Sequence, residues 1–225
     1  MVRLYLFAEG QTEQTFAKRV LCLHLALKNV FLQHTLLIAK ARRKGQVHRG
    51  GGSRYQPMKN DIERFLKQEK GNDVFFTTMI DRYALHADFP GLKESEKLSA
   101  DPYQQVRFLE RKFLEDIDDQ RFIPHLQLHE YEAYLFTAPE YFSWSYNDCE
   151  QQVESLRDIA ARYDSPELID DNIETAPSKR ILKVFPQYKK SVDGPQIAEA
   201  IGLAEIRNQC PHFNNWLSQL ESLAE

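Results

Sequence analysis

Acidic side chains that follow apolar, strand-like runs are the residues of this sequence best placed to do chemistry. Glu9 follows VRLYLFA, and Asp81 follows DVFFTTMI. Glu130 and Glu132 come after a later run, and Glu13 lies four residues beyond Glu9. Carboxylate oxygens are the ligands that Mg²⁺ and Mn²⁺ prefer, so these residues predict a divalent-metal site. Such a site can polarise a phosphate and activate water for phosphodiester hydrolysis.

Each of these acids also has an ordinary structural interpretation. Glu9 and Glu13 can complement the dipole at a helix start, and Asp81 can begin a turn. Two features favour metal binding: Gly10 allows close backbone approach, and Asp81 ends a buried apolar strand, where a carboxylate needs a partner. If Glu9 lies near the helix start, the two glutamates are roughly 6 Å apart. We predict that Glu9, Glu13, Asp81 and Glu132 bind metal.

His125 and His129 suggest a rival zinc site beside Glu130. On a helix, histidines at this spacing chelate zinc. Pro124 and the apolar alternation instead predict a strand, in which the two histidines stand about 13 Å apart and cannot share an ion. We therefore interpret His125 as a packed or hydrogen-bonded histidine, and His129 as a strand-end residue that can assist the acids.

Two basic stretches predict contacts with phosphate. The first, residues 40–54, carries six cations and no acid around a glycine-rich loop: Lys40, Arg42, Arg43, Lys44, Arg49 and Arg54. Their mutual repulsion would be relieved by a bound phosphate chain. In the second, residues 178–190, we predict that Lys179 and Arg180 bind nucleic acid and together offset transition-state charge. A solvated surface is the alternative interpretation of both stretches.

Hydrophobic periodicity predicts the elements that must position these residues. The predicted strands cover 2–8, 34–39, 73–80 and 121–129, and the predicted helices 12–28, with Thr12 as N-cap, 57–70 and 101–118; the stretch 45–53 is a loop. This alternation predicts an α/β fold with a mainly parallel sheet and right-handed crossovers. Functional groups of such sheets gather beyond the carboxyl ends of the strands.

From about residue 138 the pattern changes to helices joined by polar links. These helices are predicted at 149–162, 178–185, 194–201 and 211–224. We predict an α/β core over residues 1–137 and a helical C-terminal extension over 138–225. The two parts pack as one structural domain, which suits a length of 225 residues.

Composition narrows the class of protein. Hydrophobic residues make up 42% and charged residues 28%, which is typical of a globular chain, and the net charge of −4 argues against a protein that coats duplexes non-specifically. No apolar run reaches the roughly 18 residues of a membrane span, and the N-terminus lacks a signal-peptide cleavage site, so we expect a cytoplasmic protein. Three widely spaced cysteines predict neither disulfides nor a paired-cysteine zinc site.

The motifs EGQTE at 9–13, MID at 79–81 and HEYEAYLF at 129–136 resemble the motif set of the Toprim superfamily. The first is similar to that of nucleases of the overcoming-lysogenization-defect group. The C-terminal runs PSKRILKVFPQYKK and DGPQIAEAIGLAEIRNQCPHFNNWLSQL resemble an uncharacterised Toprim-like bacterial family, often encoded beside AAA-type ATPases in defence loci. This resemblance covers nearly the whole chain. It implies a Toprim-like sheet flanked by helices, Mg²⁺- or Mn²⁺-dependent phosphodiester chemistry and an AAA-type ATPase partner.

The resemblance also implies roles for single residues. Glu9 would be the general acid/base or a ligand, Glu13 a ligand of a second ion, and Asp81 the ligand of the first. The superfamily's second acid of D-x-D is Tyr83 here, so Glu130 or Glu132 must replace the missing carboxylate. We expect a metal-dependent nuclease acting on DNA or RNA. The alternative is a catalytically degenerate module that binds nucleic acid or the ATPase without cutting.

Overall fold

The computed structural model describes residues 1–38, 54–98, 101–169 and 175–225, and its centre is a parallel sheet. The strands are β1 (Val2–Ala8), β2 (Val30–Leu37), β3 (Val74–Asp81), β4 (Phe122–Ile123) and β5 (Leu126–Gln127). They pair in the order β2-β1-β3-β4, and β5 continues the edge beside β3. The prediction of a mainly parallel sheet is confirmed.

Helices flank this sheet. In chain order they are α1 (Gln11–Phe16), α2 (Cys22–Ala26), α3 (Tyr55–Gln68), α4 (Leu92–Leu98), α5 (Pro102–Ile117), α6 (Glu150–Ala160), α7 (Pro177–Val184), α8 (Asp193–Ile201), α9 (Leu203–Gln209) and α10 (Pro211–Glu221). A π-helical turn, Ala17–Leu21, joins α1 to α2, and 3₁₀ helices cover Arg82–Ala84, Tyr131–Thr137, Pro139–Trp144, Pro166–Leu168 and Ser222–Ala224. The helix-rich C-terminal region agrees with the prediction.

The central strands are apolar on both faces because each face of the sheet is covered. Leu4 and Leu6 of β1 belong to a buried cluster with side chains of the C-terminal helices. Tyr5 and Phe7, which point the other way, pack in a second cluster with residues of α3 and α5. A parallel sheet buried on both sides therefore explains the near-continuous apolar runs of β1 and β3.

The structure differs from the prediction at β2. This strand begins at Val30 rather than at residue 34, because Val30 to Leu32 pair with the first residues of β1. Asn29, with a φ of 59°, ends the preceding helical stretch directly before the strand. A left-handed asparagine is a common helix terminator, and here a turn of residues 27–29 is the whole link between α2 and β2.

The predicted strand 121–129 is also shorter and broken. Pro124 and His125 separate β4 from β5, and the side chain of Thr78 replaces the missing ladder bonds. Thr78 Oγ1 accepts from the His125 amide at 2.8 Å and donates to the His125 carbonyl at 2.9 Å. Proline cannot donate to a sheet, which explains the break. Helices α4 and α9 were not predicted.

Two further observations concern the whole described chain. None of its helices has the length and apolar character needed to cross a membrane, within the ranges given above. Cys22, Cys149 and Cys210 are free thiols, and the latter two are buried. The cysteines thus form no disulfide, as predicted.

Candidate metal centre at the carboxyl end of the sheet

Glu9 and Asp81 meet where the two central strands end. Ala8 of β1 pairs with Met79 of β3, so both acids emerge at the same edge of the sheet. Glu9 Oε2 accepts a hydrogen bond of 3.1 Å from the Asp81 amide. This contact holds the two carboxylates side by side.

Glu13 turns back from α1 toward the same edge. Its Oε2 accepts from the Gly10 amide at 2.9 Å, so Gly10, and not Thr12, occupies the N-cap of α1. Glu13 is nevertheless buried, with 5% of its surface exposed. A Cβ atom at Gly10 would lie 3.2 Å from Glu13 Oε2, so glycine leaves room for this carboxylate.

Glu130 and Glu132 reach the edge from the segment that follows β5. Asp81 Oδ1 accepts from the Tyr131 amide at 3.0 Å, which fixes this segment against β3. Glu130 Oε2 accepts from the Ser178 amide in the first turn of α7 at 2.9 Å. Glu132 is 2% exposed. We call Glu9, Glu13, Asp81, Glu130 and Glu132 the carboxylate cluster.

Among the described residues, Lys190 places a cation against this cluster. Its Nζ lies 3.5 Å from Glu132 Oε2 and 3.8 Å from Glu130 Oε1. The side chain is 44% exposed, while its Nζ end lies against these two glutamates. The sequence placed Lys190 in a basic stretch, but our prediction chose Lys179 from that stretch. Lys179 is exposed in the first turn of α7.

Mutual repulsion in the carboxylate cluster favours bound protons or bound cations. Burial, and then the charge of Glu9, raises the pKa of Glu13 to about 7. Burial likewise raises the pKa of Glu132 to about 7, against the opposing charge of Lys190. Burial and the charges of the other four acids raise the pKa of Asp81 well above its usual value. Burial disfavours the Lys190 ammonium, but Glu132, Glu130 and Asp81 outweigh it and raise its pKa.

The residues present fit a hard divalent cation. The donors are oxygens alone, as Mg²⁺ and Mn²⁺ require. Glu132 Oε1 is buried and has no hydrogen-bond partner in the part of the chain that the structure describes, and the same holds for the hydroxyls of Tyr131 and Tyr188. Buried polar atoms without partners are costly, and a cation with its water shell would satisfy them.

The spacing of the acids is wider than that of a single tight ligand set. In the described residues, one group of three metal-ligating side chains has its donor atoms all within 4.8 Å of one another, and it lies elsewhere: Glu110, His125 and His212. The carboxylates would therefore have to move closer together, or bind through water, to hold an ion.

Tyr83, the residue in place of a second acid, packs against a histidine. Its ring centroid lies 5.4 Å from that of His129, which is buried. His129 therefore lies next to the cluster on the segment that leads to Glu130. His125, four residues earlier, contacts Glu110 and His212 and not His129, so the two histidines do not form the rival zinc pair.

The predicted phosphate-binding cations are only partly described. Lys40, Arg42, Arg43, Lys44 and Arg49 lie outside the described residues, as does the predicted loop 45–53. Arg54 is exposed directly before α3. Arg180 donates to the Thr175 carbonyl and to the Tyr163 hydroxyl, and its guanidinium lies over the Tyr163 ring, so this side chain is held by local contacts.

The fold and the site together define a class: an open parallel α/β protein with a carboxylate cluster at the carboxyl end of its central strands. The chain belongs to the family described as a domain of unknown function (DUF4276), whose model matches residues 8–221. This match includes every residue of the carboxylate cluster and Lys190.

The chain was also compared with curated proteins and with solved structures. A comparison with curated proteins found no match. Among solved structures, the chain is similar to the C-terminal region of the Burkholderia pseudomallei OLD protein, with 15% sequence identity and a TM-score of 0.45 over 100% of both chains.

Proposed function

We propose that this protein is a divalent-metal-dependent nuclease that hydrolyses phosphodiester bonds of DNA or RNA. The observation that carries the proposal is the carboxylate cluster, in which acids from β1, α1, β3 and the segment after β5 gather around Lys190. The resemblance of the same residues to the Toprim motifs adds support. It also motivates the proposal of a cytoplasmic role in bacterial defence with an AAA-type ATPase partner.

Glu9, Glu13, Asp81 and Glu132 would hold Mg²⁺ or Mn²⁺. The ion, when bound, polarises the scissile phosphate and lowers the pKa of water. Asp81 is fixed by the Tyr131 amide, and Glu9 by the Asp81 amide, so both carboxylates have defined positions before any ligand arrives. Such preorganisation is what a catalytic site requires.

Glu9 would also help to move the proton, and basic side chains would compensate charge. Burial raises the pKa of Glu132 to about 7 in the metal-free chain, so an incoming ion would displace a proton from Glu132. Its Oε1 is free of hydrogen bonds within the described residues. The ammonium of Lys190 can turn from the glutamates to a phosphate oxygen and stabilise the charge that develops there. Lys179, Arg54 and the cations of residues 40–49 would bind backbone phosphates of the nucleic acid.

The test is metal-dependent cleavage by the purified chain and its variants. We expect Mn²⁺- or Mg²⁺-dependent cutting of single-stranded, duplex or transfer RNA substrates. Asp81→Asn should lower the rate by about 10³-fold, since it removes a charged metal ligand, while the amide oxygen of asparagine can still accept from the Tyr131 amide. Glu9→Gln should do the same. Glu140→Gln, at an exposed glutamate outside the cluster, is the matched control and should cut as the wild type does.

A second candidate function rests on Tyr83. This residue stands where the resembled superfamily has its second acid, and its ring packs on His129. A degenerate module would bind nucleic acid or an ATPase without cutting. Calorimetric titration separates the candidates: a nuclease binds Mn²⁺ in a manner that Asp81→Asn abolishes. Absence of any such binding would remove the nuclease proposal.

A further inference from the structure

A second cluster of metal-ligating side chains lies away from the carboxylate cluster, at the sheet edge where α5 and α10 meet. It consists of Glu110 from α5, His125 from the break between β4 and β5, and His212 from the first turn of α10. One donor atom of each side chain lies within 4.8 Å of the donors of the other two. Three distant segments of the chain thus present ligands to one point.

Ordinary hydrogen bonding accounts for two of the three side chains. Glu110 Oε1 accepts from His212 Nε2 at 2.9 Å and from the Leu126 amide at 2.9 Å. His212 Nε2 also lies 3.2 Å from the Leu126 carbonyl oxygen. In the metal-free chain, a proton shared by His212 Nε2 and Glu110 Oε1 holds these two atoms together. A bound cation would replace this proton.

His125 is not explained by hydrogen bonding. It is fully buried, and neither ring nitrogen has a hydrogen-bond partner among the residues that the structure describes. Its Nδ1 points to Glu110 Oε1 across 3.7 Å, which is too long for a hydrogen bond. A buried imidazole in this state has a lone pair and an N–H with nothing to bind.

The position of the His125 ring is nevertheless tightly defined. The hydroxyl of Thr78 forms hydrogen bonds with both the backbone amide and the backbone carbonyl of His125. The ring stacks on Trp216 with centroids 4.3 Å apart and an angle of 11°, and it stacks on His212 at 5.0 Å. A side chain fixed this well without a polar partner is preorganised for a ligand at its nitrogen atoms.

We propose that Glu110, His125 and His212 form a structural site for a transition-metal ion, with Zn²⁺ as the ion that best fits. Two imidazole nitrogens and one carboxylate oxygen are a borderline donor set that suits zinc and not magnesium. The Leu126 carbonyl oxygen lies 3.2 Å from His212 Nε2, and water would supply any remaining ligand. His125 and His212 are buried and Glu110 is 15% exposed, so a bound ion would tie α5, the strand edge and α10 together.

The first experiment measures metal content. The untagged full chain is purified without chelator, incubated with Zn²⁺, dialysed and analysed for zinc. We expect one zinc per chain, and loss of zinc in His125→Gln and Glu110→Gln. Glu110→Gln keeps an acceptor for the Leu126 amide. The controls, His24→Gln at a histidine outside the cluster and Asp81→Asn in the carboxylate cluster, should keep their zinc. Wild-type protein without zinc, or zinc that both ligand variants retain, would overturn the proposal.

A second experiment needs only the wild-type chain, in case the variants do not fold. X-ray absorption of the zinc-loaded protein should show imidazole nitrogens about 2.0 to 2.1 Å from the ion. Zinc at about 100 times its Kd should raise Tm by roughly 5 to 10 °C. A coordination shell of oxygens without imidazole, or a Tm that zinc leaves unchanged, would exclude this site. Neither result bears on cleavage by the carboxylate cluster.

Discussion

At the scale of single residues, Lys190 combines contact with the carboxylate cluster and exposure to solvent. It contacts Glu130 and Glu132 while 44% of its side chain remains exposed. Because the side chain is partly exposed and the ammonium loses some hydration in the contact, we expect the ion pairs of Lys190 to contribute little to folding stability. Its position next to carboxylates that would hold metal gives it a larger effect on a bound phosphate.

We predict that Lys190→Gln lowers kcat/KM for cleavage by about 100-fold, the effect of removing one stabilising charge or donor. The neighbouring Lys189→Gln, at an exposed position, is the matched control and should stay within about twofold. The pH profile provides a further readout, since loss of the Lys190 charge raises the pKa of Glu132 and moves the profile to higher pH. Equal activity of both variants would contradict the role of Lys190.

The sequence could predict where Glu9 and Asp81 lie, but not which lysine meets them. Apolar runs that end in an acid place that acid at a sheet edge, and this inference needs no knowledge of tertiary contacts. The stretch 178–190 contains Lys179, Arg180, Lys183, Lys189 and Lys190, which look alike in sequence. Only the path of the chain between α7 and α8 brings Lys190 to the glutamates.

At the scale of elements, α10 is attached to the sheet by a short chain of polar contacts. Trp216 Nε1 donates to Thr77 Oγ1 at 2.8 Å, and Thr77 Oγ1 donates to the Ile123 carbonyl at 2.6 Å. Glu167 accepts from the amides of His212 and Phe213 at 3.0 and 2.9 Å and so caps the N-terminus of α10. The helix is therefore fixed at its start and its middle.

Replacement of Trp216 tests this attachment. Trp216 is 3% exposed, whereas Trp144, the other tryptophan, is 76% exposed. We predict that Trp216→Phe lowers the free energy of unfolding by about 1 to 3 kcal/mol, because it removes a buried hydrogen bond and part of the ring. Trp144→Phe should change it by less than about 0.5 kcal/mol. Urea unfolding in the presence of a chelator measures both, and similar values would contradict the attachment.

Element boundaries show what a sequence can and cannot predict. The bounds of α5 follow from its periodicity, from Asp101, whose side chain accepts from the Tyr103 amide, and from Asp118, which is left-handed. The break at Pro124 and the contact of His125 with His212 depend on neighbours distant in sequence. A local pattern cannot predict a contact between elements that only the folded chain brings together.

At the scale of the whole molecule, the carboxylate cluster couples stability to pH. Glu13 and Glu132 have a pKa of about 7 in the folded chain, raised by burial, against 4.5 as the ordinary value. The folded state therefore binds more protons than the unfolded state between these values. Stability gained from these groups is fully present below pH 4.5 and is lost as pH rises through 7. Each group accounts for on the order of 3 kcal/mol.

We predict that the metal-free protein loses stability between about pH 5 and 8, and that Mg²⁺ or Mn²⁺ restores it most at the upper end, where the carboxylates are ionised. Urea unfolding at several pH values, with chelator or metal, measures both effects. In the double variant Glu13→Gln/Glu132→Gln, the free energy of unfolding should depend less on pH. The difference between this variant and the wild type removes the contributions of groups outside the carboxylate cluster, such as His212, whose pKa Glu110 raises against the effect of burial. A wild-type minus variant difference that is constant with pH, or an equal metal effect at pH 5 and 8, would show that these buried acids neither hold protons nor bind the ion.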